Sequence, residues 1–278
     1  MSSSSTNEPV AADDTAATTP ATSQAIASPA AEVQAAIRLR YRVRFAKTGL
    51  LRWTSHRDLA SLWERLVRRA QLKLSMTEGF HPKPRIGFPS ALALGISGQN
   101  EVVELDLAER LSAPELLQRL SQDDQPGLEI KSVQLMPEGS GKAKLLRTDY
   151  SISLPDPDLG AAAIDRDAVQ ASISEFLNQD SVTVQRKKKP LTVRVADNIL
   201  DLRFDDQILL TLAASDAATL KPTDVLDLIG CTDWISHGSH ITRTEVVLKH
   251  EFETADTEFL AIANQPPSRG KTTQEVPE

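Results

Sequence analysis

Arg38-Leu39-Arg40-Tyr41-Arg42-Val43-Arg44-Phe45 alternates polar and apolar side chains with a period of two. Successive side chains of a strand point to opposite faces. The stretch therefore reads as a strand with Leu39, Tyr41, Val43 and Phe45 buried and four arginines on the other face. Downstream, Thr54-Ser55-His56-Arg57-Asp58 opens a helix, with Ser55 and Asp58 at capping-box spacing. Leu59, Leu62, Trp63, Leu66, Val67 and Ala70 follow at helical spacing and form one apolar stripe. Arg57, Arg65, Arg68 and Arg69 fall on the opposite side, with Asp58 and Glu64 among them.

Gly79-Phe80-His81-Pro82-Lys83-Pro84-Arg85 comes next. Proline fixes φ and biases the preceding residue toward extended geometry, so His81 and Lys83 are held extended in a stiff, exposed bend. Ile86 to Leu94 reads as an apolar strand broken by Pro89, Gly95 to Asn100 as a turn, and Glu101 to Leu107 as an alternating strand. A helix from Ala113 to about Leu120, with Pro114 at its start, and a strand from Leu128 to Leu135 complete the order β-α-β-β-α-β. The second half repeats it more loosely. Its strands are expected at 150–154, 181–185, 191–196, 208–213 and 241–249, its helices at 163–177 and 222–229. The fold class is α+β: two tandem ferredoxin-like (βαββαβ) subdomains, the first and basic one at 37–140 and the second at 145–252. Disordered tails are expected at 1–36 and 264–278, which are rich in small, polar and proline residues.

Charge is uneven. Between Arg38 and Arg85, ten Arg and three Lys stand against Asp58, Glu64 and Glu78, a net +10, while the remainder brings the whole to −7. A basic region in an acidic protein is the footprint of a phosphate-bearing ligand or of internal ion pairing. The first strand's arginines leave both readings open. They would line the open face of a ferredoxin-like sheet, where RNA-binding sheets work, or pair with Glu104 and Asp106 across the strands. The candidate phosphate- or RNA-binding residues are Arg52, His56, Arg57, Arg65, Arg68, His81, Lys83 and Arg85. His56, at a helix start where backbone N–H groups favour anions, is also the candidate acid–base group. The helix places His56 and His81 about 20 Å apart, so they need not share a site. Arg186-Lys187-Lys188-Lys189 with Arg194 reads as a solvated hairpin, and His237-Gly-Ser-His240 as a loop without a third metal ligand.

The single cysteine, Cys231, allows no internal disulfide and suits a reducing cytoplasm. No apolar run reaches membrane-spanning length, and neither a secretory signal nor a transit peptide is read at the start. No cofactor or metal is expected. With no G-x-x-x-x-G-K-[ST], G-x-G-x-x-G or G-x-S-x-G, the chain does not read as a self-contained nucleotide-using or hydrolytic enzyme.

Trp53-Thr54-Ser55-His56-Arg57-Asp58-Leu59, Glu64 to Ala70 and Glu78 to Ile86 together resemble the bacterial "radical SAM-linked protein" family. The resemblance extends through Ala91 to Gly95 and Glu104 to Leu107, and more weakly to Leu220-Lys221-Pro222 and Arg243-Thr244. It implies a non-catalytic partner of a radical SAM enzyme, active around RNA or ribosome modification. The three-cysteine cluster motif of such enzymes is not in this chain, so radical chemistry would belong to the partner. Two alternatives stand beside an RNA-binding accessory protein. One is a metal-independent RNA endonuclease, by analogy with tandem ferredoxin-like nucleases. The other is a protein-interaction module whose basic region meets an acidic partner.

Overall fold

The computed structural model describes residues 37–186, 189–215 and 219–251. The expected tails at 1–36 and 264–278 lie outside them. Strand β1 (Leu39–Lys47) leads through a 3-10 turn at Gly49–Trp53 into helix α1 (His56–Arg69). Then come β2 (Ile86–Gly87), β3 (Ser97–Leu107), α2 (Ala113–Ser121) and β4 (Leu128–Leu135). The second half holds β5 (Leu145–Ile152), α3 (Arg166–Leu177), β6 (Ser181–Val184), β7 (Leu191–Arg194), α4 (Val195–Asn198), β8 (Ile199–Phe204), β9 (Ile208–Ala213), α5 (Pro222–Leu228) and β10 (Ile241–Leu248). It is a mixed α+β architecture with one large mixed sheet.

That sheet runs β4-β1-β3-β10-β5-β9-β8, with β2 also on β3 and with β6–β7 as a separate hairpin. β1 pairs antiparallel with β3 and with β4. One edge of β3 serves two partners. Its first residues, Ser97 and Gly98, run parallel to Thr242 and Arg243 of β10, and Glu104 and Leu105 pair with β2. The described residues from Ile37 onward belong to one compact unit.

Period two on β1 and period 3.6 on α1 create the first core. Tyr41, Val43 and Phe45 meet Leu59, Trp63, Leu66 and Val67, with Val103, Leu105, Leu107, Leu116 and Leu120 closing around them. Phe45 packs edge-on against Trp63 at 5.0 Å, and each large side chain buried here contributes about 1.5–3 kcal/mol. Ser55 caps α1 by accepting the Asp58 N–H, but the Asp58 carboxylate takes the Ser55 hydroxyl rather than closing a full capping box. The second core is built from β5, α3, β8, β9 and α5, and it includes Leu92 and Ile96 from the first half.

Several boundaries differ from the sequence expectation. The strand expected over 86–94 shrinks to Ile86–Gly87, and the expected turn at 95–100 instead starts β3 at Ser97. Pro89 offers no N–H to a ladder, and the edge of β3 beyond β2 is taken by β10. β5 starts earlier than 150, α3 starts at Arg166, and β8 occupies a stretch read as connection.

The arginine face of β1 resolves in favour of ion pairing. Arg38 and Arg40 both reach Asp106, Arg42 reaches Glu104 at 3.1 Å, and Arg44 reaches Glu245 at 2.9 Å and Glu251 at 2.6 Å. Arg42 is only 3% exposed. Burial pushes the Asp106 carboxyl up, but hydrogen bonds from Arg40 and Arg38 outweigh it and hold the group below its ordinary 3.8. A carboxyl with a depressed folded pKa stabilises the fold fully above the unfolded value and loses that contribution as pH falls through the folded one. Asp106→Asn should therefore lower stability near neutral pH and flatten the acid limb of the stability profile below pH 3.8. Circular dichroism across an acid titration checks this, and identical acid limbs for variant and parent would refute it.

Candidate nucleic-acid interface

Helix α1 presents its arginines to solvent. Arg57, Arg65 and Arg68 are exposed and form no ion pair among the described residues, whereas Arg69 is bound to Asp123. The Pro-rich bend is a stapled hairpin. Thr77 N–H donates to the Lys83 carbonyl at 2.8 Å, Lys83 N–H to Thr77 Oγ1 at 2.9 Å, and Arg85 N–H to the Ser75 carbonyl at 3.0 Å. Gly79, at φ +115°, turns the tip, and Phe80, His81 and Lys83 stand exposed on it. The Arg85 guanidinium is partly committed, since Nε donates to the Met76 carbonyl.

Arg52 and His56 sit elsewhere, on a cleft of about 1020 Å³ between the two halves. Lys47 positions both. Fully buried, its ammonium donates to the carbonyls of Thr54 at 2.9 Å and Arg52 at 3.4 Å, pinning the junction from which α1 starts. Burial lowers the Lys47 pKa, against the pull of nearby Glu101. The Arg52 guanidinium lies 5.1 Å over the Trp53 ring, and the His56 imidazole meets Phe88 edge-on at 5.2 Å. Arg57, Arg65, Arg68, His81, Lys83 and Arg85 do not line the cleft. The structure therefore divides the candidate residues into an outer basic helix, a hairpin tip and an inner cleft.

The cleft also gathers residues that the sequence did not offer as phosphate ligands: Lys144, Lys221, Ser239, His240, Arg243 and Lys249. Arg243 is committed. Nearly fully buried, it makes a bidentate contact with Glu101 and donates to Ser90 Oγ and the Ala91 carbonyl. Burial would lower its pKa, but the hydrogen bond and charge of Glu101 raise it beyond the ordinary arginine value. This pair ties β3 to β10 beneath the cleft. Gly98 makes room for it, because a Cβ there would stand 2.5 Å from the Glu101 carboxylate.

The other sequence candidates have structural partners. Arg186 is bidentate to Asp224, and Arg194 pairs with Asp197, while Lys187 and Lys188 lie outside the described residues. His237 Nδ1 contacts the Asp233 carbonyl, and no cluster of metal-binding side chains is found among the described residues. The Cys231 thiol is pushed up to about 11 by burial and by Asp233, which makes it a poor nucleophile. Among the described residues no helix is long and apolar enough to cross a membrane.

A two-half α+β protein with basic outer and inner surfaces is the class defined by this geometry. The chain belongs to the bacterial family described as "Uncharacterized protein conserved in bacteria (DUF2344)", whose model matches residues 40–222. That span includes α1, the hairpin tip and the cleft residues Arg52, His56, Lys144 and Lys221. No curated protein matches the chain.

Proposed function

We propose that this protein is an RNA-binding accessory factor that works with a separate radical SAM enzyme in RNA or ribosome modification. The observation that carries the RNA part is the contrast between its arginines. Those of β1 are neutralised by carboxylates, while Arg57, Arg65 and Arg68, with Asp58 and Glu64 beside them, are exposed on one helix face and form no ion pair among the described residues of a protein with net charge −7. Cations kept unpaired on one face in an acidic protein suit a polyanion, and guanidinium groups match phosphate geometry.

Tandem ferredoxin-like architecture is the fold reading proposed with it. Supporting it, the antiparallel order β4-β1-β3-β2 in the first half recurs as β10-β5-β9-β8 in the second, with the β6–β7 hairpin inserted after α3. The enzyme partner rests on the resemblance of the α1 and hairpin motifs, and its iron–sulfur chemistry would be its own.

Fluorescence anisotropy of a short single-stranded RNA, titrated in EDTA across a KCl series, tests the function. Affinity should fall with salt along a log–log slope of about −0.7 per phosphate contact. Salt-insensitive binding, or none, overturns the reading. RNA recovered from the same mixture should be intact. A site-specific cut that disappears in His56→Ala would replace accessory binding by nuclease action.

A further inference from the structure

We propose that the cleft between the two halves is a nucleotide subsite, taking a phosphate against its cations and a base against Trp53. This deepens the RNA-binding reading and rests on it. Three independent observations carry it.

The first is the composition of the wall. Arg52, His56, Lys144, Lys221, His240 and Lys249 all line the cleft, and among the described residues no Asp or Glu does. Carboxylates outnumber basic residues in the chain, 38 to 31, so the surplus of cations among the described lining residues runs against the composition of the chain. None of Lys144, Lys221 and Lys249 forms a side-chain ion pair among the described residues, which leaves their charge available to an anion.

The second is a set of unused polar atoms. Six buried side-chain nitrogen or oxygen atoms among the described residues make no hydrogen bond, and three of them belong to residues that line this cleft: Arg52 Nε, His56 Nδ1 and Ser239 Oγ. Ser239 is 3% exposed. A buried hydroxyl without a partner costs stability, so its place in a cationic wall points to a ligand oxygen as its partner. Arg52 Nε–H and Ser239 Oγ–H can both donate to a phosphate, the recognition chemistry expected for phosphoryl oxygens.

The third is the aromatic lip. Trp53 lines the cleft at 58% exposure. An open indole beside cations is the combination on which unpaired bases stack. The volume, about 1020 Å³, accommodates a nucleotide with room for a neighbouring unit.

The chain supplies its own reporter. Of its three tryptophans, Trp63 is fully buried, Trp234 is 7% exposed, and Trp53 alone is open to solvent. Adenosine 5′-monophosphate, adenosine and inorganic phosphate are titrated against the intrinsic fluorescence of the full chain. The monophosphate should quench saturably. Adenosine should bind about 10-fold or more weakly, and inorganic phosphate should displace the monophosphate. Ser239→Ala should weaken the monophosphate about 10-fold while leaving the melting temperature unchanged or raised, because it removes an unpaired buried hydroxyl. Lys249→Gln, at an exposed position, should weaken it without touching the fold. Equal quenching by adenosine and its monophosphate, non-saturable quenching, or unaltered affinity in both variants overturns the subsite.

A short single-stranded RNA added to the monophosphate complex identifies the source. Competition assigns the subsite to a nucleotide of RNA, and saturation by the monophosphate without competition assigns it to a free nucleotide. The two readings fail separately. RNA binding that persists without any monophosphate quenching removes the subsite alone. Quenching that persists in a protein without salt-dependent RNA affinity removes the RNA reading alone.

Discussion

Replacing Glu101 by alanine should destabilise the protein by about 3–5 kcal/mol, because it leaves the Arg243 guanidinium charged, buried and unpaired. Arg243 and Glu101 are each about 97% inaccessible to solvent, and their bidentate contact is the ionic link between β3 and β10. Arg243 cannot escape by losing its proton, since guanidinium stays charged at any accessible pH. Lys47 would feel the loss too, because the Glu101 charge is what opposes the burial of its ammonium. For a protein of this size the melting temperature should drop by roughly 6–20 °C. The double variant Glu101→Met/Arg243→Met should recover most of the loss, since exchanging a buried pair for apolar groups of similar volume is often near neutral. Chemical denaturation of the three proteins decides it. A Glu101→Ala variant within about 1 kcal/mol of the parent would show that the pair carries no structural weight.

Replacing Arg57, Arg65 and Arg68 together by alanine should weaken binding of single-stranded RNA about 100-fold at 0.1 M salt and make the salt slope shallower by about 2. Both figures follow from losing three phosphate contacts at about 0.7 released counterions each. Stability should barely change. The three side chains are exposed and unpaired, and alanine is at least as good a helix former as arginine. The informative control is Arg42→Ala on β1, whose charge is already taken up by Glu104. It should cost stability and leave the salt slope unaltered. Anisotropy titrations at several KCl concentrations measure both quantities, and an unchanged slope in the triple variant would remove α1 from the interface.

The elements read correctly from sequence are those in which local periodicity and burial agree. β1 alternates throughout, α1 keeps one apolar stripe, and β4 occupies Leu128–Leu135 as expected. β8 was missed for a physical reason. Its pairing with β9 shifts register between Ile199 and Asp201, so Leu200 and Asp201 are both exposed and the period of two is broken at its start. The 86–94 stretch is apolar enough to suggest a strand, yet what Leu92 needs is a place in the second core, which it reaches as loop.

The same division runs through the site. Unpaired cations on α1 were legible because helical spacing alone puts Arg57, Arg65 and Arg68 away from the apolar stripe. The cleft was not legible: Arg52, Lys144, Ser239 and Lys249 are far apart in sequence, and no local pattern relates them. Sequence by itself determined the secondary-structure pattern, the basic first region and the exposed helix face, since these depend on spacing along the chain. Tertiary structure alone decided which charges cancel and which remain. Arg38, Arg40, Arg42 and Arg44 found carboxylates across the sheet, while Lys144, Lys221 and Lys249 were left around a cleft with no ion-pair partner among the described residues. Ion pairing depends on distance in space: Arg38, Arg40 and Arg42 meet their carboxylates when β1 pairs with β3, and Arg44 meets Glu245 when β10 joins the sheet.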